Sequence, residues 1–165
     1  MQLNRRTKRQ CKEHGRKDED VKLTNQEVSL VKNGRMLNDR HIDAANQMLR
    51  KQFPEVRGLK SPVMGQSLSF PVTDPPFVQI LHVRENHWMT VVALDKTTVH
   101  VYDSMFRCVG TCVSMQSASM LQSSEDHISF RIQNVQIQDG GVDCGLFAIA
   151  FATEYCFGNN PECYR

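Results

Sequence analysis

Apolar positions change period along this chain, and each change marks an element. Residues 1–22 are polar with no apolar period and read as a basic, disordered tail, which leaves 23–165 as the folded domain. Thr24-Asn25-Gln26-Glu27 fits a capping box, followed by Val28, Leu30 and Val31 and stopped by Gly34. A second helix opens at Asn38 or Asp39, both good N-caps; Ile42, Ala45, Met48, Leu49 and Phe53 recur at helical spacing as its buried stripe, and Pro54 ends it. Residues 55–76, with Pro62, Pro71, Pro75 and Pro76, read mostly as loop.

The middle of the chain turns β-like. Phe77–Val83, Trp88–Leu94 and Val99–Tyr102 are rich in apolar and β-branched residues, with Asp95–Thr98 as the turn between the last two. A polar, Ser-rich stretch at 113–126 follows. Ile128, Phe130 and Ile132 then alternate as a strand, and the shift of parity to Val135 and Ile137 predicts a bulge or break near Gln133-Asn134. Residues 144–156 are apolar nearly all round and predict a buried central helix. Helices, then strands, then a central helix make an α+β pattern.

Composition changes this picture little. The chain of 165 residues is 40% apolar and 23% charged, as a single-domain globular protein is. It has no apolar run long enough to cross a bilayer and no secretory signal after Met1, so no membrane is expected and an intracellular place, nuclear or cytoplasmic, is. A net charge of +2 does not suggest nucleic-acid binding by the whole domain. Residues 5–17 nonetheless carry seven Arg or Lys against one Glu, which reads as a solvated tail, an import signal or a nucleic-acid-binding arm. The six cysteines are expected as reduced thiols. Cys11-x-x-His14 and Cys108-x-x-x-Cys112 lack a second ligand pair at finger distance, so no metal is expected.

One cysteine has a setting suited to chemistry. Cys144 opens the apolar helix directly after Gly140-Gly141-Val142-Asp143, where unpaired N–H groups favour thiolate over thiol. Gly145 leaves room for a substrate backbone. A thiol nucleophile needs a base, a group to orient the base and an oxyanion donor. His87 at a strand start, Asp103 after the next strand and Gln138 on the loop before Cys144 supply those types. Taken singly, each has a plainer reading: Cys144 as a small core residue, His87 as a strand end, Asp103 as a turn residue, Gln138 as loop. A plain hairpin puts Asp103 opposite Thr90, roughly 10 Å along the strand from His87 at about 3.3 Å per residue. Asp103 must then sit past the strand end and turn back, or the ladder must bulge. Asp95 and His82 are the fallback partner and base.

Together, His87-Trp88, Asp103 and Gln138-Asp-Gly-Gly-Val-Asp-Cys144-Gly145 resemble the signature of the ubiquitin-like-protein-specific cysteine proteases, the family of SUMO-deconjugating enzymes related to the adenoviral protease. Leu37-Asn38-Asp39 with Ile42 resembles the start of the same domain, and the resemblance spans roughly residues 24–158. It implies a papain-like α+β fold whose central helix carries the nucleophile against a mixed or antiparallel sheet. It implies Cys144 as nucleophile, His87 as general base and proton donor, Asp103 as the group fixing the imidazole, and Gln138 with the Cys144 amide as oxyanion hole. Trp88 is implied to wall a tunnel for a Gly-Gly tail, with Asn38, Asp39 and Gly145 as further substrate contacts. The implied reaction needs no cofactor, and the implied partner is a SUMO-type ubiquitin-like protein or its conjugates.

The chain departs from the family at Met36, where a tryptophan is usual, and in ending 21 residues after Cys144, short of the further helices the resemblance implies. A truncated C-terminus is therefore expected. Two other readings stay open beside the protease: an impaired copy that binds a ubiquitin-like partner without turnover, and an acetyltransferase on the same scaffold.

Overall fold

The computed structural model describes residues 20–122 and 127–162. Helix α1 (Asn25–Lys32) starts where expected because Thr24 and Glu27 cap each other: Glu27 N–H donates to Thr24 Oγ1 at 3.2 Å and Thr24 N–H to Glu27 Oε2 at 2.6 Å. Helix α2 (Asp39–Gln52) is capped by Asn38, whose Oδ1 accepts from Arg40 N–H and His41 N–H. Packing begins before the expected boundary at residue 23. Val21 N–H donates to Gln47 Oε1, Arg40 donates to the Lys22 carbonyl, and Asp20 pairs with Lys51. The rest of the expected tail, with Cys11 and His14, lies outside the described residues.

Strands β1 (Phe77–Val83), β2 (His87–Ala93), β3 (Thr98–Tyr102) and β4 (Ser129–Ile132) form a sheet in the order β1-β2-β3-β4. The first three are antiparallel and β4 runs parallel to β3, so the sheet is mixed. Helices α3 (Thr111–Leu121) and α4 (Cys144–Cys156) cover its two faces. On one face Val78, Ile80, Trp88, Val92 and Tyr102 pack with Ile42 and Leu49 of α2 and with Ala148, Phe151 and Ala152 of α4. On the other, Phe77, Leu81, Met89, Val91, Val99 and Val101 pack with Val113, Met120 and Leu121 of α3. Every residue of β2 is therefore buried, which is why its sequence does not alternate. The Thr90 hydroxyl, inside this layer, donates to the Ala148 carbonyl at 2.7 Å and pins α4 to the sheet.

The outer edge of β1 is closed by the loop before it. Val78 N–H donates to the Arg57 carbonyl and Leu59 N–H to the Val78 carbonyl, at 3.1 and 2.9 Å. This requires glycine at 58: its φ is +95°, and a Cβ there would lie 2.0 Å from the Val78 carbonyl oxygen. Gly58→Ala is expected to destabilise the domain by roughly 2–4 kcal/mol, combining positive-φ strain with overpacking. Urea unfolding checks this, and an unchanged midpoint would refute the role given to the edge contact.

Four expectations need correction. Met48 is exposed, because at 3.6 residues per turn it lies about 120° from the Ile42–Leu49–Phe53 line. Val31 of α1 is also exposed, and that helix buries Glu27 instead. The Ser-rich stretch is largely helix: α3 buries Val113, Gln116, Ser117, Met120 and Leu121, a helical spacing hidden by polar residues at buried positions. Finally, α4 is not buried all round, since Leu146, Ala150 and Glu154 form an exposed stripe. The parity shift after Ile132 is a break, for β4 ends there. Among the described residues no helix is long and apolar enough to cross a membrane.

Candidate active site

The site lies where three elements end together: the start of β2, the end of β3 and the N-terminus of α4. Thr90 pairs with Tyr102, so a continued ladder would set Asp103 opposite Met89, one residue nearer His87 than a plain hairpin gives. The strand instead stops at Tyr102 and the chain turns. Asp103 Oδ1 gathers that turn by accepting from Met105 N–H at 2.8 Å and Phe106 N–H at 3.1 Å, and it also accepts from His87 Nε2 at 2.8 Å. The remaining distance is closed by the turn and not by a bulge. Phe106 meets the imidazole edge-on, with ring centroids 5.1 Å apart.

With Nε2 committed to Asp103, the imidazole has Nδ1 left, buried and without a hydrogen-bond partner, for interaction with the Cys144 thiol. Burial disfavours the imidazolium, but the Asp103 hydrogen bond and then Cys144 outweigh it and push the His87 pKa up to about 9. Burial likewise disfavours the thiolate. His87 foremost, then the N–H groups of Trp88 and Gly145, outweigh it and bring the Cys144 pKa below the ordinary thiol value. Each group thus stabilises the charged form of the other. Cys144 is also the first residue of α4, and Asp143 before it makes no side-chain cap, so this helix end keeps unpaired N–H groups.

The expected open access to Cys144 is not seen. Cys144 is 1% exposed, and next to it Leu37, from the segment before α2, packs against Gly145, where an added Cβ would meet Leu37 Cβ at 3.0 Å. Trp88 is buried in the core and its indole N–H donates to the Leu37 carbonyl at 3.0 Å. Trp88 also borders a cavity of about 290 Å³ shared with Asn38, Asp39, His82 and Asn86. Met36 borders the same region through its sulfur, which accepts from Asn86 Nδ2 at 2.9 Å.

Gln138 is buried on the loop before α4, with its side-chain amide hydrogen-bonded at both ends. Neither fallback residue joins the site. Asp95 caps the far turn of the β2–β3 hairpin through Thr97, and His82 stacks on Trp88 and bonds Asn86. Cys108, Cys112, Cys144 and Cys156 are free thiols. Among the described residues no cluster of three or more His, Cys, Asp or Glu side chains could hold a metal.

A thiol at a helix end on a mixed sheet, beside an imidazole and a carboxylate, is the architecture of a papain-like cysteine protease. The family profile described as the Ulp1 protease family, C-terminal catalytic domain, matches residues 70–164, and the chain belongs to that family. Among solved structures it is similar to the SUMO protease Ulp1 with its catalytic cysteine oxidised to a sulfinic acid. The identity there is 15% over 89% of this chain and 78% of that one, with a TM-score of 0.67. It is also similar to the Ulp1 protease domain in complex with Smt3, the yeast ortholog of SUMO, at 14% identity, 87% and 76% coverage and a TM-score of 0.65. The Xanthomonas campestris effector XopD bound to ubiquitin follows at 18% identity, 75% and 78% coverage and a TM-score of 0.54. At these identities the likeness is one of fold. No curated protein matches the sequence.

Proposed function

We propose that this cysteine protease acts on SUMO-type ubiquitin-like proteins, cleaving the bond after a C-terminal glycine in a precursor or in a conjugate to lysine. The observation that carries the reading is the 2.8 Å bond between His87 Nε2 and Asp103, which leaves Nδ1 for the thiol of Cys144 at the start of α4, where imidazolium and thiolate stabilise each other. The Cys144 thiolate attacks the glycine carbonyl carbon and its negative charge passes to the carbonyl oxygen. Gln138 Nε2 and the Cys144 N–H receive that oxyanion. As the tetrahedral species collapses, the C–N bond breaks and His87 gives its proton to the leaving amine, leaving a thioester. His87, now neutral, takes a proton from water as the water attacks the thioester, and the acid is released as Cys144 leaves. In this reading Trp88, Asn38 and Asp39, which border one cavity, hold the tail before the scissile bond, and their shared cavity supports it. The complex of the Ulp1 domain with Smt3 supports SUMO as the modifier class.

The test uses Smt3 and ubiquitin, each ending in a C-terminal propargylamide. A covalent adduct with Smt3 is expected, mapping to Cys144. Cys156→Ser is expected to react at the wild-type rate, because burial, with a smaller push from Glu55, drives the Cys156 thiol up to about 11 and keeps it protonated. An adduct with ubiquitin alone would replace the modifier class, and no adduct from folded protein would overturn the proposal.

A further inference from the structure

We infer that Ser104 is a positioning residue that sets the Gln138 amide for the oxyanion, an inference that rests on reading Gln138 as the oxyanion donor. Ser104 is 1% exposed, so its hydroxyl is shielded from bulk water. It donates to Gln138 Oε1 at 2.6 Å, and the Ser104 carbonyl accepts from Gln138 N–H at 2.9 Å. Gln138 Nε2 donates to the Gly140 carbonyl at 2.5 Å. A side-chain amide has two N–H donors and one carbonyl. With the carbonyl held by Ser104 and one donor by Gly140, one N–H is left to serve the reaction, and its direction is fixed. A flipped amide would set its oxygen against the Gly140 oxygen.

The same turn is anchored on both sides. Asp103, one residue earlier, holds His87, while Arg107 donates to the carbonyls of Gln133 at 2.7 Å and Val135 at 3.0 Å on the segment between β4 and Gln138. The group orienting the base and the group orienting the oxyanion donor are therefore adjacent residues. Ser104 touches neither substrate nor thiol in this scheme and acts only through Gln138.

Turnover of Smt3 carrying a C-terminal aminomethylcoumarin amide reads this out. Ser104→Ala is expected to lower kcat about tenfold, below the roughly 10²–10³-fold cost of removing an oxyanion donor outright, with KM within about twofold. On a Gln138→Ala background it should add nothing, because the group it positions is gone. Ser104→Thr should restore most of kcat. Should Ser104→Ala not fold, Ser104→Cys keeps the volume with a weaker donor and is expected to lose part of kcat. Alkylation of Cys144 by iodoacetamide develops no oxyanion, so its pH profile should not move in Ser104→Ala.

A full additional loss in the double variant, or a shifted alkylation profile, would overturn the inference, the second by routing Ser104 through Asp103 and His87. Undiminished kcat in Gln138→Ala would overturn the oxyanion reading beneath it. Independently of turnover, the Gln138 side-chain amide resonances, identified by their loss in Gln138→Ala, should shift in Ser104→Ala and return in Ser104→Thr. Resonances that stay in place refute the clamp even if no probe is cleaved.

Discussion

Cys144→Ser is expected to abolish turnover, by on the order of 10⁴-fold or more, while leaving the fold and the affinity for a SUMO-type protein intact. The site is organised around a thiol whose pKa is held below the ordinary thiol value. His87 is held as imidazolium up to about 9 by Asp103 and Cys144 against the cost of burial, and in the proposed mechanism it serves first as counter-charge and proton donor and then as base. A serine hydroxyl placed there has a pKa far above that of a thiol and stays an alcohol, with no reactive oxygen anion formed. Serine is close to cysteine in size, and Cys144 is packed in the core beside Trp88 and Ala148, so little repacking follows. Steady-state hydrolysis of the coumarin amide and titration of uncleaved Smt3 by calorimetry measure the two halves. Retained turnover would remove Cys144 from the chemistry, and lost binding with lost activity would mean that the substitution had damaged the fold.

How much of this was legible in the sequence follows from which interactions are local. The caps of α1 and α2 are written in contiguous residues, Thr24 to Glu27 and Asn38 to His41, and were readable for that reason. The hairpin strands were readable because burial on both faces of β2 demands an unbroken apolar run. Helix α3 was not. Its buried face includes Gln116, which stays buried because its amide donates to the His82 carbonyl and Cys112 sulfur, partners distant or unremarkable in sequence. Composition counted that glutamine as surface.

The site divides in the same way. The order His87, Asp103, Gln138, Cys144 could be read from motifs, whereas the bond from Asp103 to His87 depends on a turn gathered by Asp103 itself, which no spacing rule supplies. Ser104 gave no signal at all. Its partner is 34 residues away, and a serine after an aspartate at a strand end is an ordinary turn residue. The burial of Cys144, with Leu37 against Gly145 and Trp88 bonded to the Leu37 carbonyl, was equally invisible, since it involves segments that meet only in the fold.

His87→Ala is expected to raise the Cys144 pKa from its lowered value toward or above that of an ordinary thiol, and to cost turnover more than it costs alkylation. The sign follows from what remains. Burial pushes the thiol up, His87 is the largest influence bringing it down, and the Trp88 and Gly145 N–H groups are lesser ones. Without His87 those two N–H groups alone oppose burial. An ordinary thiol of pKa near 8.5 is only about 3% thiolate at pH 7, so iodoacetamide alkylation should slow there and recover as pH is raised. Peptide hydrolysis should fall further, by an additional factor on the order of 10²–10⁴, because the leaving amine has also lost its proton donor, and raising the pH cannot restore that. In the wild type, activity should instead hold through neutral pH and decline above about 9, where His87 loses the proton it must deliver. An alkylation profile unchanged by His87→Ala would mean that the thiol is activated by the helix N-terminus alone. A hydrolysis loss no larger than the alkylation loss would mean that another group protonates the amine.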